Sequence, residues 1–137
     1  MRIKKVFAIA CIGAMIVCGS CKRETKNEKF KRDFELFTQK ECPKFMDACT
    51  RMDSVCYDIK SRTLTEYYTV SDKLDVDSIY TDEQLISTFN ETLLKGLKSS
   101  IQLKQYKDEG ITFRYTYRSL STGKTRLELT FTPEDYN

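Results

Sequence analysis

The sequence of 137 residues predicts an α+β fold of two layers, with helices packed on one face of an antiparallel sheet in the order α-β-β-α-β-β. Three observations carry this expectation. Apolar residues recur at helical spacing in two separate stretches, a run rich in Tyr, Thr and Val lies between them, and the C-terminal part alternates strictly in the manner of a hairpin. The length suits one core and one domain.

The first helix is signalled by Phe30, Phe34 and Phe37, which fall at i, i+4 and i+7 on one stripe, and Pro43 ends it. Three aromatics at that spacing are read as core. Val55, Tyr57 and Ile59 then alternate, and "TLTEYYTV" has the β-branched and aromatic character of a strand, so a strand pair meeting near Ser61 is expected. Met46, Ala48 and Met52 occupy the other parity, which asks for a bulge near Asp53 and Ser54 or a short separate element. After the acidic loop "SDKLDVDS", Thr81 and Gln84 have capping-box spacing, with Asp82 and Glu83 at the positive end of a helix dipole. The helix that follows carries Leu85, Phe89, Leu93, Leu97 and Ile101 four apart, widened by Ile86 and Leu94, and should break between Gly96 and Ser100.

The last pair is the clearest. "ITFRYTYR" places Ile111, Phe113, Tyr115 and Tyr117 on one face, and "RLELTF" does the same with Leu127, Leu129 and Phe131. A three-residue loop of Ser121, Thr122 and Gly123 lets both apolar sets share a face, with glycine at the left-handed position. The register expected is Phe113 opposite Phe131, Tyr115 opposite Leu129 and Tyr117 opposite Leu127.

Composition excludes several function classes. Lys and Arg number 23 against 20 Asp and Glu, and Arg2, Lys4 and Lys5 supply the whole excess, so the remainder gives no field to steer it to nucleic acid. Histidine is absent, which removes Ser-His-Asp and Cys-His nucleophiles and His-bearing zinc sites. No residue pattern calls for a cofactor.

The N-terminus has the layout of a secretory signal: basic "MRIKK", an apolar run from Val6 to Val17, then Gly19 and Ser20 before Cys21. Sixteen residues, Val6 to Cys21, separate Lys5 from Lys22. They would span about 24 Å as a helix, short of a hydrocarbon core of roughly 30 Å. The quartet Cys18, Gly19, Ser20, Cys21 resembles the lipobox of bacterial lipoproteins, departing from it at Cys18, where the family most often carries leucine. The resemblance covers the first 21 residues alone. It implies cleavage before Cys21, diacylglycerol attached to that thiol and acylation of the new amino group, palmitate being such an acyl chain. It also implies a membrane partner through the lipid. Lipoproteins with aspartate after the cysteine tend to stay in the inner membrane. Lys22 stands there, so the resemblance implies an outer-membrane lipoprotein facing the periplasm. The expected organisation is a signal peptide over residues 1–20, the lipidated cysteine and a polar tether over 21–29, and one α+β domain over 30–137.

The remaining candidate chemistry is sparse. "STGKT" ends like a P-loop, but Arg118 stands where the first glycine belongs and a strand follows, so it is a turn. Asp72, Asp75 and Asp77 hint at calcium, but an EF-hand counted from Asp75 would need an oxygen ligand at Ile79 and glycine at Tyr80. Cys42, Cys49 and Cys56, seven apart, lack metal-ligand spacing and read as buried small hydrophobes with room for one disulfide. On the outer face of the last hairpin Glu128 should lie opposite Thr116, between Arg114 and Arg118, with Arg126 facing Arg118. That like-charge pair makes Arg114, Arg118, Arg126 and Glu128 candidates for binding an acidic envelope protein or an anionic glycan. The expected function is a lipid-anchored envelope protein whose small domain binds rather than catalyses. The alternative is an envelope enzyme built on Cys, Tyr or carboxylates.

Overall fold

A computed structural model describes residues 23–137. The first helix, α1 (Lys26–Glu41), opens on Thr25, whose hydroxyl accepts from the Glu28 amide while the Glu28 carboxylate accepts from the Thr25 amide. That capping box contributes about 1 kcal/mol and starts the helix ahead of Phe30, so residues 26–29, expected in the tether, form its first turn. Phe30 is buried and Phe34 packs against the core, while Phe37 stays at the exposed limit of the stripe.

Five strands follow in sheet order β1-β2-β3-β4-β5: β1 (Lys44–Asp47), β2 (Thr50–Asp58), β3 (Thr63–Val70), β4 (Thr112–Ser119) and β5 (Thr125–Phe131). Both devices anticipated around Met46 to Met52 are present. β1 is a separate short strand, and the β2–β3 register shifts between Met52 and Ser54. β1 covers only the start of β2. Beyond it, the Thr38 hydroxyl of α1 accepts from the Val55 amide and donates to the Val55 carbonyl, which satisfies backbone groups at an otherwise open edge.

Between β3 and β4 the chain makes a 3-10 turn (Asp72–Leu74) and three helices, α2 (Asp77–Tyr80), α3 (Glu83–Ser99) and α4 (Lys104–Asp108). A short α5 (Pro133–Tyr136) follows β5. Thr81 is the C-cap of α2; the residue that caps α3 is Asp82, whose carboxylate accepts from the Leu85 amide. As expected, α3 stops at Ser99, so Ile101 lies in the turn beyond it and is 86% exposed.

The two-layer α+β class holds, and three of the four strand pairs are antiparallel. The central pair, β3 with β4, is parallel, because α3 carries the chain back along the sheet before β4 begins. In register, Leu64, Glu66, Tyr68 and Val70 of β3 stand beside Phe113, Tyr115, Tyr117 and Ser119 of β4. This is the face the helices cover: Phe30 meets Tyr57 edge-on with ring centroids 5.9 Å apart, Phe89 meets Tyr117 at 5.4 Å, and Tyr136 meets Phe113 at 5.6 Å. Leu64, Leu97, Ile111 and Phe113 are all but removed from water, each such side chain contributing about 1.5–3 kcal/mol of burial.

Candidate functional site

The last hairpin has the expected register as far as Tyr117: Phe113 faces Phe131, Tyr115 faces Leu129, Tyr117 faces Leu127, and Thr116 faces Glu128. There it shifts. Arg118 pairs with Thr125 rather than Arg126, so the like-charge pair expected from the alternation does not form. The loop between the strands is longer than three residues, running from Leu120 to Lys124 with Gly123 at φ +71°. A bulge adds a residue to one strand and re-aims its side chain. Here Arg126 is that residue.

Arg126 holds the crossover segment in place. Its Nε donates to Asp75 Oδ1 at 3.0 Å and its Nη2 to the Asp75 carbonyl at 3.2 Å; Nη1 reaches Asp77, and the guanidinium lies over the Tyr80 ring, 5.6 Å from its centroid. The other Asp75 oxygen accepts from the Ser121 amide and hydroxyl at 3.0 and 2.8 Å. The Ser119 hydroxyl, the Ser121 donors and Arg126 together hold the Asp75 carboxyl well below the usual carboxylate range. Two of the three aspartates that hinted at calcium are therefore bound to an arginine. Among the described residues no group of three Cys, Asp or Glu is placed to hold a metal ion.

This latch forms one wall of an open cavity of about 260 Å³. Its floor is the covered face of the sheet, with Thr50, Val70, Tyr117 and Leu127 from four strands. Leu74, Ile79 and Tyr80 make the latched wall, and Leu85, Ile86 and Phe89 of α3 the opposite one. Tyr80 donates to the Leu74 carbonyl at 2.8 Å, so its polar end is turned to the backbone and its ring to the cavity. Leu85 is 45% exposed at the rim. Asp47 is the one carboxylate of the lining, and its Oδ1 already accepts from the Cys49 amide at 2.8 Å.

The other expected site residues lie apart from the cavity. Arg114 and Glu128 face each other loosely on the uncovered face of the sheet, 3.8 Å apart, and Arg118 is exposed near Asp53 and Tyr67. Cys21 lies outside the described residues. Cys42, Cys49 and Cys56 are free thiols, and Cys56 is exposed rather than buried. Burial, with Asp53 and Glu41 nearby, pushes the Cys42 thiol up, the wrong direction for a nucleophile.

The alternation hid one further titratable group. Glu66 stands on the covered face, where its carboxylate accepts from the Tyr68 hydroxyl at 2.5 Å, and burial pushes its pKa up. Its place beside Tyr115 and opposite Val55 follows from register, which the isolated string "TLTEYYTV" does not contain. The cavity wall was equally hidden. Its one sequence signal was the width of the apolar face of α3, where Ile86 adds to the four-residue series.

Two solved structures share this architecture. A Pseudomonas aeruginosa protein described as secreted, known from a crystal structure at 1.60 Å resolution, matches with a TM-score of 0.64 at 10% identity, covering 85% of this chain and 100% of that one. The pilotin EpsS of the Vibrio vulnificus type 2 secretion system matches with a TM-score of 0.60 at 10% identity, covering 83% of this chain and 94% of that one. At such identity the likeness is one of fold. No curated protein matches the chain. A family model does match residues 25–127, more than half of the sequence, and by that match the chain belongs to the family described as a domain of unknown function, DUF8479.

Proposed function

We propose that this protein is a lipid-anchored component of a bacterial cell envelope, held at Cys21, whose domain binds another envelope protein by taking an apolar side chain of the partner into the cavity beside α3. The observation that carries the reading is the cavity itself, an apolar hollow open to solvent at the edge of the hydrophobic core. At about 260 Å³ it is smaller than the sites that enclose small-molecule ligands, which run from about 300 to 1,000 Å³. It suits an anchor residue of the kind that dominates protein interfaces. A glycan would need convergent polar groups to meet its hydroxyls, and the lining is almost wholly hydrocarbon.

The chemistry of the lining also supports binding over catalysis. Its one carboxylate is engaged by a backbone amide, no cysteine lines it, and the Cys42 thiol outside it is pushed up, away from the thiolate. The fold neighbours support an envelope setting: one is described as secreted and the other is the pilotin of a secretion system. Lys22 behind the lipobox supports the outer membrane and its periplasmic side.

Photo-cross-linking in the native envelope tests the proposal. A photoreactive residue at Leu85, on the rim, should give an adduct with an envelope protein, and one at Thr130, exposed on the uncovered sheet face, should not. Adducts at Thr130 with none at Leu85 would move the interface to the arginine face and overturn the assignment.

A further inference from the structure

The start of α1 and the cavity lie at opposite poles of the domain. Four residues, Lys22 to Thr25, separate Cys21 from the first residue of α1, a stretch that spans about 17 Å when fully extended. A lipid on Cys21 therefore holds the pole containing the start of α1 close to the headgroups. Contacts of that first turn identify the pole. Lys26 Nζ meets Glu109 at 2.5 Å, Asn27 accepts from the Tyr57 hydroxyl at 2.7 Å near the end of β2, and Phe30 packs on Tyr106 of α4 with centroids 4.7 Å apart. Arg62, in the β2–β3 turn, donates to the Glu109 carbonyl. The base thus comprises the β2–β3 turn, α4 and the turn leading into it.

We infer that this base is a second membrane contact, docking on anionic lipid headgroups through Ile101 and the lysines around it, so that the cavity is presented away from the bilayer. Ile101 projects from the α3–α4 turn at 86% exposure with exposed Lys98 and Lys104 three residues to either side. Ile59, 38% exposed, precedes exposed Lys60 in the neighbouring turn. An apolar tip flanked by long cationic side chains suits the headgroup boundary, where the tip enters the acyl region and the ammonium groups of Lys98 and Lys60 meet phosphates. The acids of the base are turned to other partners: Asp58 accepts from the Ser61 amide and hydroxyl, Glu109 from Lys26, Asp108 from Lys104, and Asp135 from Thr132. Lys60 and Lys98 enter no ion pair among the described residues. At the far pole Asp47, Asp72, Asp82 and Glu83 are exposed around the cavity and outnumber the exposed Lys73 and Lys124, a surface that an anionic membrane repels. The nine residues of β2, which begins beside the cavity and ends at the base, separate the poles by about 30 Å.

The inference rests on the anchor proposed at Cys21, and the test separates the two. The sequence contains no tryptophan, so Ile101→Trp in the full lipidated chain is a lone reporter. Reconstituted in phosphatidylethanolamine–phosphatidylglycerol vesicles with brominated acyl chains, it should emit to the blue. Its quenching should be roughly twofold or more that of Leu120→Trp at the opposite pole, where Leu120 is 60% exposed. Exchanging phosphatidylglycerol for phosphatidylcholine should reduce the difference. A water-like, unquenched Ile101→Trp in protein whose intact mass and vesicle flotation prove the lipid overturns the inference alone, as does equal quenching at both positions. Intact mass without lipid on Cys21 overturns both.

Discussion

The two faces of the sheet begin from the same alternation and are closed off from water by different means. On the covered face Leu64, Tyr68, Phe113 and Tyr117 lie under aromatic and leucine side chains from the helices. On the other face Thr63, Thr65, Thr69 and Thr116 are nearly as buried, at 5 to 8% exposure, yet among the described residues no helix packs there. Their shield is made of longer polar neighbours. Thr69 donates to Asp53 at 2.5 Å, Asp53 accepts from Arg51 at 2.6 Å, and Thr116 reaches Glu128 at 3.4 Å. Low exposure is therefore not the same as core. One face excludes water by close packing of hydrocarbon, the other by hydroxyls and ion pairs that remain hydrogen-bonded when the water returns.

The largest expected effect sharpens that contrast. Phe113→Ala, at 1% exposure on the covered face, should cost about 3–5 kcal/mol in urea unfolding, whereas Thr65→Ala at 7% on the other face should cost under about 1 kcal/mol. Equal losses would erase the distinction. Next comes Arg126, which the bulge removes from the open face. Its side chain is 17% exposed against 5% for Asp75, so Arg126→Ala leaves a nearly buried carboxylate without its cation and should cost about 2–3 kcal/mol. Arg118→Ala, on the exposed face, should change stability by less than about 0.5 kcal/mol. The same unfolding curves distinguish a latch from a surface charge.

Glu66 is the exception on the covered face, and its effect runs with pH. Burial favours its neutral form, so the folded state keeps the proton to higher pH than the unfolded chain does. Stability then falls as pH rises through the usual carboxylate pKa, about 4.3, toward the raised folded value, and stays low above it. Glu66→Gln should raise the melting temperature by a few degrees at pH 7 and by nothing at pH 4. A variant less stable at pH 7 would show that the Tyr68 hydrogen bond outweighs desolvation. Smallest of all, Glu128→Gln should move stability by under about 0.5 kcal/mol, since both it and Arg114 are about half exposed and 3.8 Å apart.

How far such differences can be read in advance depends on which residues decide them. The α1 stripe, the strand boundary near Ser61, the end of α3 before Ser100 and the pairing of Phe113 with Phe131 were legible because each depends on neighbours close in sequence. The start of α1 was displaced by a polar cap, which apolar spacing does not register. The bulge after Tyr117 was not legible, because alternation fixes which side chains share a face and says nothing about an extra residue whose reward is a bond to Asp75, 51 residues away. One inserted residue turned an expected positive patch into the latch of a cavity.

By itself the sequence determined the α+β class, the register of most of the last hairpin, the absence of histidine chemistry and the lipobox-like N-terminus, all of them local patterns or simple composition. The tertiary structure decided the parallel pairing of β3 with β4, the position of Glu66 beside Tyr115, the partner of Arg126 and the cavity whose wall that pairing holds. Each of these joins residues that only the α3 crossover brings together. A chain carries no record of which distant charges will meet until the hydrophobic faces of its helices have found the sheet.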